Sequence, residues 1–216
     1  MKLAKTLCAV AALLLVGGIA QADMLITATP LGGGDSGSYE VGNQFTITSP
    51  ITVSALGVYS YGGWSLTPDG DDFIALYALG NTTPLAAVGV PTGTPVTQLD
   101  GNPVVSNTTP GYAWIPVALT LPAGTYRLVD SEAVWTHATY RSDNGLGPVT
   151  FNPIFTNVQG VYANNSSYAV ADAIYPTNPD AYTFSSPNMQ FTASPEPATM
   201  ALLAIGGIGA LLRRRK

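Results

Sequence analysis

Cysteine and histidine are almost missing from this chain: there is one of each, Cys8 and His137, and charged residues make up only 10% of 216 positions. Cys8 falls in an apolar stretch near the start, so nothing downstream of it can form a disulfide. The fold must therefore rest on a packed core. A zinc site needs several His or Cys ligands, and that class is excluded. Lysine is absent from Asp23 to Ala193, where Arg127 and Arg141 are the only cations against twelve acidic residues. A formal charge near −10 over that stretch repels nucleic acid and anionic headgroups. It suits surroundings rich in polysaccharide or divalent cations, although an acidic surface is also a plain solubility device. Helical periodicity is lacking too, as is any internal repeat of about 20–50 residues, which argues against a solenoid or propeller.

What is present is concentrated first at the two ends. Lys2 and Lys5 precede an apolar run from Leu7 to Ile19, and Ala20-Gln21-Ala22 follows as a small-x-small sequence before Asp23. Those are the three regions of a secretory signal peptide, with cleavage expected after Ala22 and Ala20 as the other small residue. The run is too short for a lasting membrane span. Cys8 lacks the small residues that a lipoprotein signal places before its cysteine. At the other end, Pro195-Glu196-Pro197 leads into an apolar run, Ala198 to Leu212, and then into Arg213-Arg214-Arg215-Lys216. As a helix the run is about 22 Å long, short against a hydrocarbon core of about 30 Å. The terminal cations resist crossing and should stay on the cytoplasmic side. Pro195 and Pro197 hold the preceding backbone extended, in a form that a processing enzyme can grip. An uncleaved C-terminal anchor is the plainer alternative.

This motif, helix and basic tail resemble the PEP-CTERM sorting signal. The resemblance implies an exosortase-type membrane protease as partner, with Pro195, Glu196 and Pro197 as the processing motif and Arg213, Arg214, Arg215 and Lys216 as stop-transfer. It also implies export through the Sec machinery and signal peptidase in a Gram-negative bacterium. Passage through the inner membrane would then end at the cell surface or in an exopolysaccharide-rich biofilm matrix.

Residues 1–22 thus read as signal peptide, 23–193 as one body and 194–216 as sorting tail. The body is long enough for one domain with its own core. Short runs rich in Val, Ile, Thr, Tyr and Phe alternate with Gly, Pro, Asn and Asp, which predicts an all-β, antiparallel β-sandwich or jelly roll from about Leu25 to Thr192. A signal helix and a transmembrane helix would flank it. Ile115, Val117, Leu119 and Leu121 alternate on one strand face, and Tyr126 and Leu128 do so after a turn at Pro122-Ala123-Gly124. Tyr39 to Ile47 predicts a strand interrupted near Gly42. Ile51 and Val53 alternate in one phase and Leu56 and Val58 in the other, which predicts a bulge near Ala55. Phe73 to Ala78 is apolar throughout and predicts a strand covered on both faces. Pro84 to Val88, His137 to Tyr140, Val158 to Tyr162 and Met189 to Thr192 are weaker strand candidates. Ile51–Tyr59, Asp69–Asp72, Ile74–Tyr77, Leu119–Tyr126 and Ser186–Phe191 resemble extracellular sandwich domains of the DUF4082 type, a likeness that carries no activity to transfer.

Catalytic chemistry is thin. His137 has no Gly-x-Ser-x-Gly partner and reads as a strand side chain. Asp130 and Glu132 share a strand face rather than straddling a substrate, and read as solvated acids. Asp69, Asp71 and Asp72 offer hard oxygen ligands for Ca²⁺, against the plainer reading of a solvated turn. Trp64, Trp114 and Trp135 raise carbohydrate stacking. Trp114, together with Tyr112, is expected on an outer face, where capping a sandwich edge is the alternative. Asn81, Asn107, Asn164 and Asn165 head sequons, which mark surface loops. The expected role is that of a non-enzymatic surface or matrix protein without a required cofactor and with no nucleic-acid partner. An extracellular carbohydrate-active hydrolase is the alternative.

Overall fold

The computed structural model describes residues 22–28, 39–60, 73–102, 104, 111–131, 149–164, 178–180 and 182–193. Every element among them is a strand: β1 (Asp23–Met24), β2 (Ile26–Ala28), β3 (Tyr39–Ile47), β4 (Ile51–Ser60), β5 (Phe73–Ala78), β6 (Ala86–Gly89), β7 (Val96–Thr97), β8 (Gly111–Leu121), β9 (Gly124–Ser131), β10 (Thr150–Phe151), β11 (Phe155–Asn164), β12 (Asn178–Asp180) and β13 (Asn188–Ala193). A five-stranded sheet runs β1-β13-β4-β8-β7 and a six-stranded sheet runs β12-β11-β3-β9-β5-β6, with β10 and β2 as a separate pair. All pairings are antiparallel.

One apolar core joins the two sheets. Val53, Leu56, Val58, Met189 and Phe191 come from the first, and Phe45, Ile74, Leu76, Leu128 and Phe155 from the second. Edge-to-face contacts of Phe155 with Phe45 and Phe191, at 5.2 and 5.1 Å, link them. Apolar burial at this density is the main stabilising term in a chain without disulfides. The other face of the six-stranded sheet is buried as well, through Ala75, Tyr77, Val129 and Val161. β5 is therefore covered on both faces, as its composition predicts.

The phase change in β4 is a bulge centred on Ser54, where pairing with both β13 and β8 slips between Val53 and Ala55. The extra residue moves the core-facing set from Ile51 and Val53 to Leu56 and Val58. β11 carries a second slip between Thr156 and Gln159, with Asn157 in the left-handed region at φ 52°. The interruption expected near Gly42 does not occur, and β3 pairs with β9 residue for residue through it. Glycine is there for proximity: a Cβ at position 42 would lie 2.0 Å from the Leu128 carbonyl oxygen.

The turn after β8 carries the chain from one sheet to the other. Tyr126 folds back over it and donates its hydroxyl to the Pro122 carbonyl at 2.6 Å, in the manner of a tyrosine corner. Ile115, Val117 and Leu119 do face the core, but they are only half buried, because β7 covers β8 at Tyr112 and Ala113 alone. A charge at Val117 therefore meets more water than strict alternation implies. Val53→Asp, at a fully buried site, should lower unfolding free energy by about 3–5 kcal/mol, and Val117→Asp by clearly less. Urea denaturation of the mature protein measures both. Equal losses would show that β8 is as enclosed as β4.

Candidate functional site

The densest polar cluster among the described residues is buried, and it is built around the segment Phe184 to Asn188 that leads into β13. Asn43, core-facing on β3, donates Nδ2–H to the Phe184 carbonyl at 2.8 Å and accepts the Phe184 N–H through Oδ1 at 3.1 Å. Asn188 holds the opposite end of the chain in the same way. Its Oδ1 accepts the N–H of Ile26 at 2.9 Å and of Met189 at 2.8 Å, while Nδ2 donates to the Ile26 carbonyl at 3.0 Å. Tyr112 donates its hydroxyl to the Ser185 carbonyl at 2.7 Å. The Ser186 hydroxyl donates to the Asp130 carboxylate and accepts the Tyr59 N–H at 3.1 Å. Asn43, Asp130, Ser185, Ser186 and Asn188 are all buried. All but the Asn188–Met189 bond join segments distant in sequence, and Asp130 with Ser186 bridges the six-stranded sheet to the lead-in of the five-stranded one.

This corrects the reading of Asp130 as a solvated acid. In β9, Tyr126, Leu128 and Asp130 share the core-facing side, so the alternation that buries the first two buries the third. The signal was in the sequence, since a carboxylate continuing an apolar alternation is a buried carboxylate. Asn43, continuing Phe45 and Ile47 backwards along β3, was legible in the same way. Tyr112 is corrected likewise. It is fully buried, because Tyr59 packs on it edge-to-face at 5.5 Å and Trp114 in a tilted contact at 5.2 Å.

The cluster's hydrogen bonds tie segments of the fold together. A serine nucleophile needs a base that takes its proton and access to a substrate. Ser186 is buried, gives its hydrogen to Asp130, and spends a lone pair on the Tyr59 amide. Burial pushes the Tyr112 hydroxyl well above the ordinary tyrosine range, with the neighbouring Tyr59 adding. Tyr77 is pushed up to about 12, by burial first and then by the charge of Glu40.

Trp114, the carbohydrate candidate, is half buried, and its ring lies on Gly57, where a Cβ would fall 2.5 Å from Cε3. Glycine at 57 thus makes the seat for the indole, as a capping side chain requires. Asn81 is exposed in the β5–β6 turn, in keeping with a surface sequon. Asp69, Asp71 and Asp72 lie outside the described residues, as do Trp64, Trp135, His137, Glu132, Ala20 and the tail from Pro195 to Lys216. Among the described residues no group of three His, Cys, Asp or Glu is placed to hold a metal, and no helix is long and apolar enough to cross a membrane. Ala22 is described just ahead of β1, and β13 ends at Ala193, two residues before Pro195.

Removing one partner of a buried polar pair costs more than the pair contributes. Ser186→Ala should lower stability by about 1.5–3 kcal/mol by leaving the Asp130 carboxylate without its hydroxyl donor. The tyrosines give a pH signature. Their folded pKa values lie above the unfolded value of 10.0, so the folded state holds their protons more tightly. Their contribution is complete below pH 10 and falls away as pH rises from there through about 12 for Tyr77. Thermal melts across this range should show an alkaline loss that Tyr77→Phe with Tyr112→Phe flattens; an unchanged alkaline limb in the double variant counts against it.

Comparison with known proteins gives a family match at the tail. Residues 195–216 match the PEP-CTERM protein-sorting motif. No curated protein and no solved structure gives a significant match to the chain. The motif begins directly beyond the last described strand, and it marks an exported, membrane-passing protein that exosortase sorts to the cell surface.

Proposed function

We propose that this is a non-enzymatic protein of the cell surface or extracellular matrix, exported through the Sec machinery and released from the inner membrane of a Gram-negative bacterium by exosortase cleavage beside Pro195-Glu196-Pro197. The observation that carries the reading is the motif match at residues 195–216. The physical order of the parts supports it. In sequence a Pro-Glu-Pro motif follows β13 almost at once, then come an apolar run too short for a comfortable span and a cationic stop. A signal peptide ending at Ala22 fits the position of β1, which starts at the next residue.

For the body we propose a sandwich with jelly-roll character, of the DUF4082 kind, that serves as a stable, strongly acidic module in an exopolysaccharide matrix. Two sheets sharing one core support the architecture. The burial of Ser186 and Asp130, with the Ser186 hydroxyl committed to the Asp130 carboxylate and the Tyr59 amide, favours a structural module over a hydrolase. No cofactor is required in this reading, and Ca²⁺ at Asp69, Asp71 and Asp72 remains an optional ligand set.

The test is the C-terminus of the surface protein. Mass spectrometry should find a chain that begins near Asp23 and lacks the peptide through Lys216. Glu196→Ala, or Ser at Arg213, Arg214 and Arg215, should leave uncleaved precursor in the membrane with the body folded. Recovery of the intact tail on mature surface protein would refute cleavage and leave a permanent anchor.

A further inference from the structure

β1 and β13 are neighbours, with Asp23 opposite Phe191 and Met24 opposite Gln190. The strand that starts at the expected signal-cleavage point and the strand that runs into the sorting motif therefore meet one pole of the body from adjacent positions, about 4.8 Å apart. The same pole carries the β3–β4, β5–β6 and β8–β9 connections and the turn before β11. This follows from the pairings, since Ile51 lies opposite both Leu121 and Ala193, Ile47 opposite Gly124 and Phe155, and Ala78 opposite Tyr126.

That pole has an unusual surface for so acidic a chain. Its connections, residues 48–50, 79–85, 122–123 and 152–154, contain no Asp, Glu, Lys or Arg. Four large apolar side chains are exposed among the described residues, and three are here: Leu79 at 49%, Leu85 at 41% and Ile154 at 37%. Single exposed apolar residues need no explanation, but convergence on one uncharged pole does. Leu79 and Leu85 flank one turn, while Ile154 lies about three strand spacings away across the pole, roughly 15 Å. The nearest described acid is Asp23, set back along β1.

We propose that this pole is a lipid-contact surface, seated on the membrane interface while the chain is still tethered. The inference rests on reading the tail as a membrane segment. Ala193 is five residues from Ala198, where the apolar run starts, and five extended residues reach at most about 17 Å. The headgroup zone is roughly 5–8 Å deep on each side. The tether thus holds the pole against or inside the headgroups. Acidic residues there would be repelled by anionic lipid, and an uncharged surface tipped with Leu79, Leu85 and Ile154 is not. The occupant is the bilayer interface itself, and the contact is weak by design of area. Cleavage removes the tether, and the acidic remainder of the body favours departure.

The experiment uses the full chain with Cys8→Ala, reconstituted in phosphatidylethanolamine–phosphatidylglycerol vesicles that contain spin-labelled lipid. Single cysteines at Leu85, Ile154 and, as a control at the opposite pole, exposed Thr92 carry a fluorophore. Circular dichroism confirms that each variant keeps the parent fold. The chain should float with the vesicles, and labels at Leu85 and Ile154 should be quenched several-fold more than the label at Thr92. Equal quenching at all three positions with normal flotation overturns the lipid contact and leaves the anchor intact. Failure to float overturns the anchor and the proposal with it. If the pole is shielded only in membranes containing the processing protease, it is a protease-docking face, and the lipid assignment is wrong.

Discussion

The fold depends on the seating of β13, and that seating depends on Asn188. One carboxamide fixes both backbone groups of Ile26, near the first strand, and the N–H of Met189, at the start of the last. β13 lies between β1 and β4, so without it β1 has no sheet to join and the core loses Met189 and Phe191. The interaction joins positions 162 residues apart. Its loop-closure cost is therefore high and is met only when the rest of the sheet is ready to receive the strand. A buried amide with every group engaged also makes register costly to change, because a one-residue slip would leave it unsatisfied in the interior.

The polar residues around it explain how a core without disulfides becomes specific. Apolar packing alone fixes which faces meet, and tolerates sliding. Asn43 on Phe184, Tyr112 on Ser185 and Ser186 between Asp130 and Tyr59 convert the approach to β13 into a segment with one admissible position. These groups look like parts of an active site when named singly. Buried and bonded across the chain, they tie the approach to β13 in place.

Much of this was legible, and the failures have a common cause. Alternation found the core face of β8, the two-sided burial of β5 and the bulge in β4, because side-chain period is a local property. It missed β1, β2, β7, β10 and β12, which are two or three residues long and exist only because a partner strand lies beside them. The depth of a face is likewise non-local. Val117 faces inward but stays half exposed because β7 is short, and Tyr112 is buried because Tyr59 and Trp114 close over it. Asp130 was misread because its charge outweighed its place in the alternation. Gly42 was read as a break when it marks close approach to Leu128. At the candidate site the balance reverses. The sorting motif at residues 195–216 was readable from sequence, since such a signal is a linear string and needs no tertiary partner.

Topology then connects these ties to the signal. β13 is the final strand of the body and runs into the sorting motif with one residue, Ser194, between Ala193 and Pro195. During export this strand emerges after every other strand, so the five-stranded sheet cannot close until the chain has emerged as far as the sorting motif. Closure of the fold and presentation of the motif are thus linked: pairing of Ala193 with Ile51 ends the sheet one residue, Ser194, before Pro195-Glu196-Pro197. A chain that failed to seat β13 would offer the motif at the end of a loose strand with exposed Met189 and Phe191. A folded chain offers it one residue beyond a strand paired on both sides, so the spacing of a single residue couples the motif to the seating of β13.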